Sequence, residues 1–247
     1  MKVIKDINYR EDGNKSHTLN IYLPDKESFP VHIFFHGGGL ERGSKEQEPL
    51  AQTLTKYGIA LVSVEYRMYP EASYPEFIKD AAAAVAWTKK HINEYGNCEK
   101  MYVGGSSAGA YISMMLCFDS RYLAPYGISN KDIDGFIHDA GQPTVHFNVL
   151  RERGIDARRI LVDEAAPLYH ICADKKYPPM LFIVSDNDMP NRLQETELVI
   201  SALKTFGYDM SKVELRLMHG THTSYGREFD ENGDNVRGKL YIDFILK

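Results

Sequence analysis

The sequence predicts an α/β fold, with a mainly parallel central sheet and helices on both faces. This prediction rests on the alternation of short β-branched or aromatic runs with longer stretches of helical spacing, which is typical of strands joined by crossover helices. The start of the chain differs, because extended runs flank Gly13 and Asn14, a pair that favours a tight turn. We therefore expect an antiparallel N-terminal hairpin to enter the sheet.

The individual strands and helices follow from hydrophobic patterning. Continuously apolar runs predict buried strands at residues 31–35, 59–66, 101–105, 134–139, 180–185 and 213–217. Apolar residues at helical spacing predict helices over residues 77–96, 110–118 and 191–207. No repeat or flexible linker divides the chain, so we expect a single domain over residues 1–247 with a small or absent cap. A small lid, if there is one, should lie within about residues 119–177, the least regular part of the sequence.

Composition narrows the classes of function. Hydrophobic residues make up 43% of the 247 residues and charged residues 26%, values typical of a soluble globular protein. The formal net charge of -5 argues against nucleic-acid binding, which requires clustered Lys and Arg. The N-terminal sequence lacks the apolar core of a secretory signal, and no membrane span is expected. We expect a cytoplasmic protein unless an export signal precedes the sequence, and the composition does not indicate an oligomeric state.

A G-x-S-x-G motif, residues 105–109, lies between the strand at 101–105 and the helix at 110–118. This spacing is typical of a nucleophile elbow, in which a serine occupies a strained turn and the flanking glycines let neighbouring backbone approach. The helix that follows directs its N-terminal amides at the same point. The motif predicts Ser107 as a nucleophile, whereas Ser106 lies at the wrong register. The alternative interpretation is a glycine-rich turn without chemistry.

A second glycine-rich motif, HGGG, directly follows the strand at residues 31–35. Attack of a serine on an ester carbonyl produces an oxyanion, and backbone N–H groups that face it lower the barrier. The sequence predicts the amides of Gly38, Gly39 and Ala108 as oxyanion donors. A phosphate-binding loop is the alternative, but the lysine of the P-loop pattern is missing. His36 is expected to order this loop through hydrogen bonds.

With these motifs, the chain resembles the hormone-sensitive-lipase and feruloyl-esterase-like group of α/β-hydrolases. The resemblance extends to LNIYLP, VEYRMYPEASYPEFIKDAAAAVAW and DEAAPLYHI followed by YPPMLFIVSDNDMP, in the order of the group. It covers nearly the whole chain and implies the α/β-hydrolase fold and an esterase activity. It also implies that Tyr66, Arg67 and Pro75 support the oxyanion loop. The chain departs from many relatives at Leu40, where they have an aromatic residue.

The chain order of this group, Ser then Asp then His, directs the search for the other catalytic residues. After the strand at 180–185, Asp186 and Asp188 are both candidates for the acid, and Asp188 matches the position of the group. After the last strand, His219 and His222 are both candidates for the base, and His222 matches. Asp186 is then expected to cap the next helix or to lie in solvent. His219 is expected to make a backbone hydrogen bond.

The predicted reaction is hydrolysis of a short-chain or carbohydrate-linked carboxylic ester, of acetyl or feruloyl type, through an acyl-enzyme on Ser107. The expected partner is a small-molecule ester, and no cofactor is required. A metal site is not expected, because H-G-T-H lacks the pattern of zinc-binding motifs. An amidase, peptidase or formamidase with the same triad is an alternative, and so is an inactive binding protein of this fold.

Overall fold

The computed structural model describes residues 1–173 and 176–247, and an eight-stranded sheet lies at its centre. The strands are β1 (Lys2–Asn8), β2 (Thr18–Leu23), β3 (Ser28–Phe35), β4 (Ala60–Val64), β5 (Asn97–Ser106), β6 (Gly135–Asp139), β7 (Met180–Asn187) and β8 (Val213–Thr221). Their order across the sheet is β1-β2-β4-β3-β5-β6-β7-β8. Strand β2 pairs antiparallel with β1 and β4, and the other neighbours are parallel. The mainly parallel sheet and the antiparallel N-terminal hairpin are thus confirmed.

Within the described residues, six α-helices accompany the sheet. They are α1 (Glu48–Lys56), α2 (Glu76–His91), α3 (Ala108–Phe118), α4 (Phe147–Glu152), α5 (Arg192–Thr205) and α6 (Val236–Ile245). The predicted helices correspond to α2, α3 and α5. The helices α1, α4 and α6 are not among the predicted ones.

The two faces of the sheet form two separate hydrophobic layers, because successive side chains of a strand point to opposite faces. Val31, Ile33 and Phe35 of β3 pack in one layer with residues of α2, α3 and α5. Phe34 packs in the other layer with residues of α1 and α6. These side chains are buried, and each contributes roughly 2 kcal/mol by leaving water. Burial on both faces explains why the strand is continuously apolar in sequence.

The chain reverses its direction of travel across the sheet at β3. From β3 it moves to β4 on one side, and it then returns through α2 to β5 on the other side of β3. In open α/β sheets such a reversal leaves a crevice at the carboxyl ends of the two strands, where ligands bind. The loop after β3 and the turn after β5 carry the two glycine-rich motifs, and Phe35 pairs with Gly105 at this point.

The irregular region between α3 and β7 contributes β6, α4 and several 3₁₀ turns. Part of it is tied to the core, since the Tyr111 hydroxyl donates to the Ala165 carbonyl at 2.8 Å and Leu150 is buried. The lid expected within about residues 119–177 stays a prediction, and residues 174 and 175 lie outside the described residues. In the described ranges, no helix combines the length and apolar character needed to cross a membrane.

Candidate active site

Ser107 lies at the turn between β5 and α3, where the motif predicts it. Its backbone has φ 56° and ψ -114°, a conformation that costs about 1–3 kcal/mol and that clusters at functional sites. The Ser107 N–H donates to the Asp139 carbonyl, at the end of β6, at 2.7 Å. A Cβ at position 109 would lie 1.9 Å from the Phe35 carbonyl oxygen, so Gly109 allows α3 to approach β3. This close approach explains the second glycine of the motif.

Ser107, His222 and Asp188 form a continuous hydrogen-bonded chain. The Ser107 hydroxyl is 2.8 Å from His222 Nε2, and His222 Nδ1 is 2.5 Å from Asp188 Oδ1. When Nδ1–H donates to the carboxylate, Nε2 is left as the acceptor for the seryl proton. The structure thus brings together the three residues that the sequence favours for nucleophile, base and acid. Their catalytic roles stay predictions.

Asp188 is enclosed, and its side chain is 1% exposed. Burial, the largest influence, raises the pKa of this carboxyl, but the hydrogen bond and attraction of His222 and two backbone N–H groups outweigh it and lower the pKa. The Met189 N–H donates to Oδ1 at 2.7 Å, and the Ser185 N–H donates to Oδ2 at 3.3 Å. Asp188 is therefore held as an anion that can orient the His222 ring.

The two remaining candidates also lie together. His219 Nδ1 is 2.7 Å from Asp186 Oδ2, and the Gly220 N–H donates to Asp186 Oδ1 at 3.0 Å. Asp186 is 40% exposed, so it lies in solvent as one of the two expectations has it, and it does not cap α5. The expectation that His219 makes a backbone hydrogen bond is wrong for its ring, whose Nδ1 pairs with the Asp186 carboxylate. The physical reason is an irregular β7–β8 pairing between Ser185 and Asn187, since such a bulge re-aims side chains. Among the described residues, no cluster of three or more His, Cys, Asp or Glu side chains could hold a metal ion.

The HGGG loop packs against the serine turn. A Cβ at Gly37 would lie 3.1 Å from the Cβ of Ser107, so the loop and the serine are in contact. Gly38 has a φ of 116°, in the left-handed region that favours glycine. In the part of the chain that the structure describes, the N–H groups of Gly38, Gly39 and Ala108 donate to no backbone carbonyl. These groups are available to an oxyanion, and their role as donors stays a prediction.

His36 orders this loop through both ring nitrogens. Nδ1 is 2.8 Å from the Gly37 carbonyl oxygen, and Nε2 is 2.8 Å from Glu65 Oε1. Tyr66 stacks on the His36 ring with centroids 4.5 Å apart, and its hydroxyl donates to the His36 carbonyl at 2.7 Å. Tyr66 thus contacts the loop as the resemblance implies. Sequence reasoning misses Glu65, although its place beside Tyr66 in VEYR is a signal for it.

Arg67 and Pro75 support the loop only indirectly. Arg67 makes a two-pronged ion pair with the buried Asp80 of α2, with Nε–Oδ2 and Nη2–Oδ1 both 2.8 Å, and Pro75 directly precedes α2. They anchor the segment after β4 rather than the HGGG loop itself. Leu40, which replaces the aromatic residue of many relatives, is fully buried.

The short helix α4 covers the end of the HGGG loop. The Asn148 side-chain amide donates to the Gly39 carbonyl. A Cβ at Gly39 would lie 3.2 Å from the Phe147 ring, which shows how closely this ring approaches the loop. Sequence reasoning misses Phe147 and Asn148, because they lie in the irregular region and belong to no motif.

Comparison with known proteins identifies the family of this chain. The family model described as BD-FAE matches residues 19–150, which is more than half of the chain. The chain belongs to the BD-FAE family. This membership confirms the resemblance to α/β-hydrolase esterases. The matched range includes both glycine-rich motifs, whereas the candidate acid and base lie beyond it.

Individual relatives agree with this BD-FAE assignment. The chain is 28% identical over 224 residues to "Probable carboxylic ester hydrolase LipM" of Mycobacterium tuberculosis, a match that covers 81% of this chain and 51% of LipM. The chain spans about half the length of the curated relatives it matches.

Solved structures show the same fold as this BD-FAE family member. A truncated carbohydrate esterase from gut microbiota superposes with a TM-score of 0.76 at 18% identity, covering 100% of this chain and 97% of that one. Esterase B from Lactobacillus rhamnosis superposes with a TM-score of 0.78 at 16% identity, covering 98% of this chain and 83% of that one. The fold is the α/β-hydrolase fold.

Proposed function

We propose that this protein is a carboxylic ester hydrolase in which Ser107 is the nucleophile, His222 the general base and Asp188 the acid that orients it. The observation that carries this proposal is the hydrogen-bonded chain between the three side chains, with distances of 2.8 and 2.5 Å. The strained backbone of Ser107 at a strand-to-helix turn supports it. Membership of the BD-FAE family and the similarity to LipM, named a probable carboxylic ester hydrolase, support the same reaction class.

In the proposed reaction, Ser107 Oγ attacks the ester carbonyl carbon while His222 Nε2 takes the seryl proton. The carbonyl π electrons move to the oxygen, and the N–H groups of Gly38, Gly39 and Ala108 stabilise the oxyanion. Collapse of this intermediate breaks the bond to the alcohol, which leaves with the proton from His222. Water that is deprotonated by His222 then attacks the acyl-enzyme, releases the acid and restores Ser107.

The proposed substrate is a small ester, either short-chain or carbohydrate-linked, with an acetyl or feruloyl acyl group. A cleft of about 450 Å³ is lined by Phe147, whose ring packs near Gly39, and by Met189, which follows Asp188, and its size suits a small molecule rather than a long acyl chain. A protein of the same fold is described as a carbohydrate esterase, which supports sugar-linked esters as candidates.

A substrate panel tests the proposal. It consists of 4-nitrophenyl acetate, an acetylated xyloside, a methyl ferulate and the matching 4-nitroanilide of acetate. We expect hydrolysis of the esters, and a loss of about 10⁶-fold in kcat for Ser107→Ala. Faster hydrolysis of the anilide than of the esters would favour an amidase. Wild-type protein that is folded but hydrolyses none of these compounds would favour an inactive binding protein.

A further inference from the structure

A cleft lined by four arginines lies next to residues that adjoin the proposed catalytic site. It has a volume of about 450 Å³ and is bordered by α4, by residues 157–160 and by the start of α5. Phe147 in its wall packs near Gly39 of the HGGG loop, since a Cβ at Gly39 would lie 3.2 Å from its ring. Met189, also in its wall, directly follows Asp188. The cleft therefore adjoins both loops through Phe147 and Met189, whereas Ser107, Asp188 and His222 themselves lie outside its lining.

The charges that line this cleft are unbalanced. Four arginines line it, whereas Glu195 is the one carboxylate among the described residues of its wall. Arg158 is neutralised by Asp156 at 2.5 Å. For the exposed Arg159, no carboxylate of the described residues lies within 4.0 Å. Arg159 thus presents to the cleft a positive charge that Asp156 attracts without direct contact.

Arg151 adds a second cation that is only loosely paired. Its Nη1 donates to Asn148 Oδ1 at 2.8 Å and lies 3.8 Å from Glu41 Oε1. Its guanidinium lies 5.3 Å from the centre of the Phe147 ring, so the cation is held over the aromatic wall of the cleft. A guanidinium has five N–H donors, so most of those of Arg151 remain for a ligand.

The floor of the cleft is positive as well. Arg192 is 4% exposed, its Nη1 donates to the Ala140 carbonyl at 2.8 Å, and its Nε makes no hydrogen bond within the described residues. The Nε of Arg192 lies 4.0 Å from Oε2 of Glu195. Burial raises the pKa of Glu195, and the Thr144 hydroxyl already occupies its Oε1 at 2.9 Å. The single carboxylate of the wall therefore compensates the arginines poorly.

We infer that this cleft binds a carboxylate carried by the ester substrate, so that the enzyme prefers anionic esters to their neutral counterparts. The inference rests on the proposed function and narrows its substrate class. Guanidinium groups recognise carboxylates through paired, charge-assisted hydrogen bonds, and Arg159 and Arg151 are placed to donate them. The chain as a whole has a net charge of -5, so the positively charged cleft is a local exception that attracts anions.

The carboxylate can belong to either part of the ester. On the alcohol side it would be the acid group of an O-acetylated uronic acid sugar. On the acyl side it would be the free acid of a dicarboxylic half-ester. Two matched substrate pairs distinguish these sources. The first is an O-acetylated methyl galacturonoside and its methyl ester, and the second is mono(4-nitrophenyl) glutarate and its methyl ester.

The test measures kcat/KM for both members of each pair. In at least one pair, we expect the ratio of kcat/KM for the anionic ester to kcat/KM for the neutral ester to be about ten, the effect of one charge-assisted hydrogen bond. Arg159→Gln should lower this ratio toward unity, and Arg159→Glu should reverse it. Raising NaCl from about 0.02 M to about 0.5 M should also lower the ratio, because the cleft is open to screening ions.

A control variant removes a positive charge elsewhere. Arg216→Gln changes the net charge equally, but Arg216 lies on β8 outside the cleft and pairs with Glu214, so the variant should keep the wild-type ratio. Neutral esters that are hydrolysed as fast as their anionic twins would overturn the inference and leave the proposed function intact. A ratio that Arg159→Glu does not change would also overturn it. Folded wild-type protein that hydrolyses neither these four compounds nor 4-nitrophenyl acetate would overturn both, whereas hydrolysis of 4-nitrophenyl acetate alone would overturn only the inference.

Discussion

Two Asp–His pairs lie at the ends of β7 and β8, and they differ in their surroundings rather than in their chemistry. The inner pair, Asp188–His222, has a distance of 2.5 Å, and the outer pair, Asp186–His219, has a distance of 2.7 Å. The inner side chains are 1% and 23% exposed, whereas the outer ones are 40% and 97% exposed. The inner histidine also reaches a third group, the Ser107 hydroxyl, at 2.8 Å.

This comparison teaches that residue types and pair distance do not identify a catalytic dyad. An exposed ion pair in water is worth about 0–1 kcal/mol, because solvent and salt screen it. A pair that is largely removed from water interacts more strongly and is fixed by its surroundings. Burial of Asp188 and the contact of His222 with Ser107 are therefore the properties on which the proposed catalysis depends.

The largest expected difference is between the effects of substituting His222 and His219 on kcat. His222→Gln removes the proposed base, and we expect kcat for 4-nitrophenyl acetate to fall about 10⁵- to 10⁶-fold. His219→Gln removes a side chain that is in solvent, and we expect a change of less than about threefold. Steady-state kinetics of the two purified variants checks this difference. A large loss in His219→Gln would mean that the outer pair takes part in catalysis.

The two aspartates should show the next largest difference. Asp188→Asn keeps the size of the side chain but disturbs the His222 tautomer, and we expect kcat to fall about 10⁴-fold. Asp186→Asn should cost less than about threefold, since its partner is exposed. The measurement is kcat/KM for one ester at one pH for both variants and for the wild type. Equal losses would show that the loop assignment of the acid is wrong.

Buried and exposed histidines should also differ in how they affect the stability of the fold at low pH. Burial lowers the pKa of His32 to about 3, whereas the ordinary value is 6.5. Below pH 6.5 the unfolded chain binds a proton that folded His32 refuses, so stability falls as the pH drops from 6.5 toward 3. For this group alone we expect a loss of about 2 kcal/mol in the free energy of unfolding between about pH 7 and pH 5.

Denaturant unfolding of the wild type and of His32→Leu at both pH values measures the contribution of His32 to this loss, since leucine does not titrate. We expect the variant to lose less free energy of unfolding on acidification than the wild type. His219 provides the control, because its hydrogen bond to Asp186 raises its pKa. Its pairing therefore stabilises the fold at low pH and is lost as the pH rises through its folded pKa, which is the opposite sign. If His32→Leu lost as much free energy of unfolding on acidification as the wild type, His32 would not be the source of the loss.

Much of the fold could be predicted because its strands are buried on both faces. Such strands are continuously apolar, so β3, β6 and β7 stand out in the sequence. The helices α1 and α6 could not be predicted in the same way. Gly238 lies inside α6, where a Cβ would come within 2.8 Å of Thr53 in α1. A tertiary contact selects glycine there, and glycine in a sequence weakens a helix prediction.

The candidate site was predictable where local motifs specify the backbone. The elbow at Ser107 and the glycines of HGGG depend on short-range geometry, which leaves a sequence pattern. The choice of Asp188 and His222 over their neighbours needed the family positions, because spacing alone does not show which side chain is buried. The pairing of Asp186 with His219 depends on the register between β7 and β8, which no local pattern shows.

The contact between Ser107 and His222 can be tested with a fluorophosphonate that reacts with activated serines. We expect one adduct per chain, located on Ser107 by peptide mass spectrometry, and a labelling rate that falls at least about 10³-fold in His222→Gln but not in His219→Gln. Labelling that is equally fast in His222→Gln, or that falls on another residue in the wild type, would contradict the proposed catalytic chain.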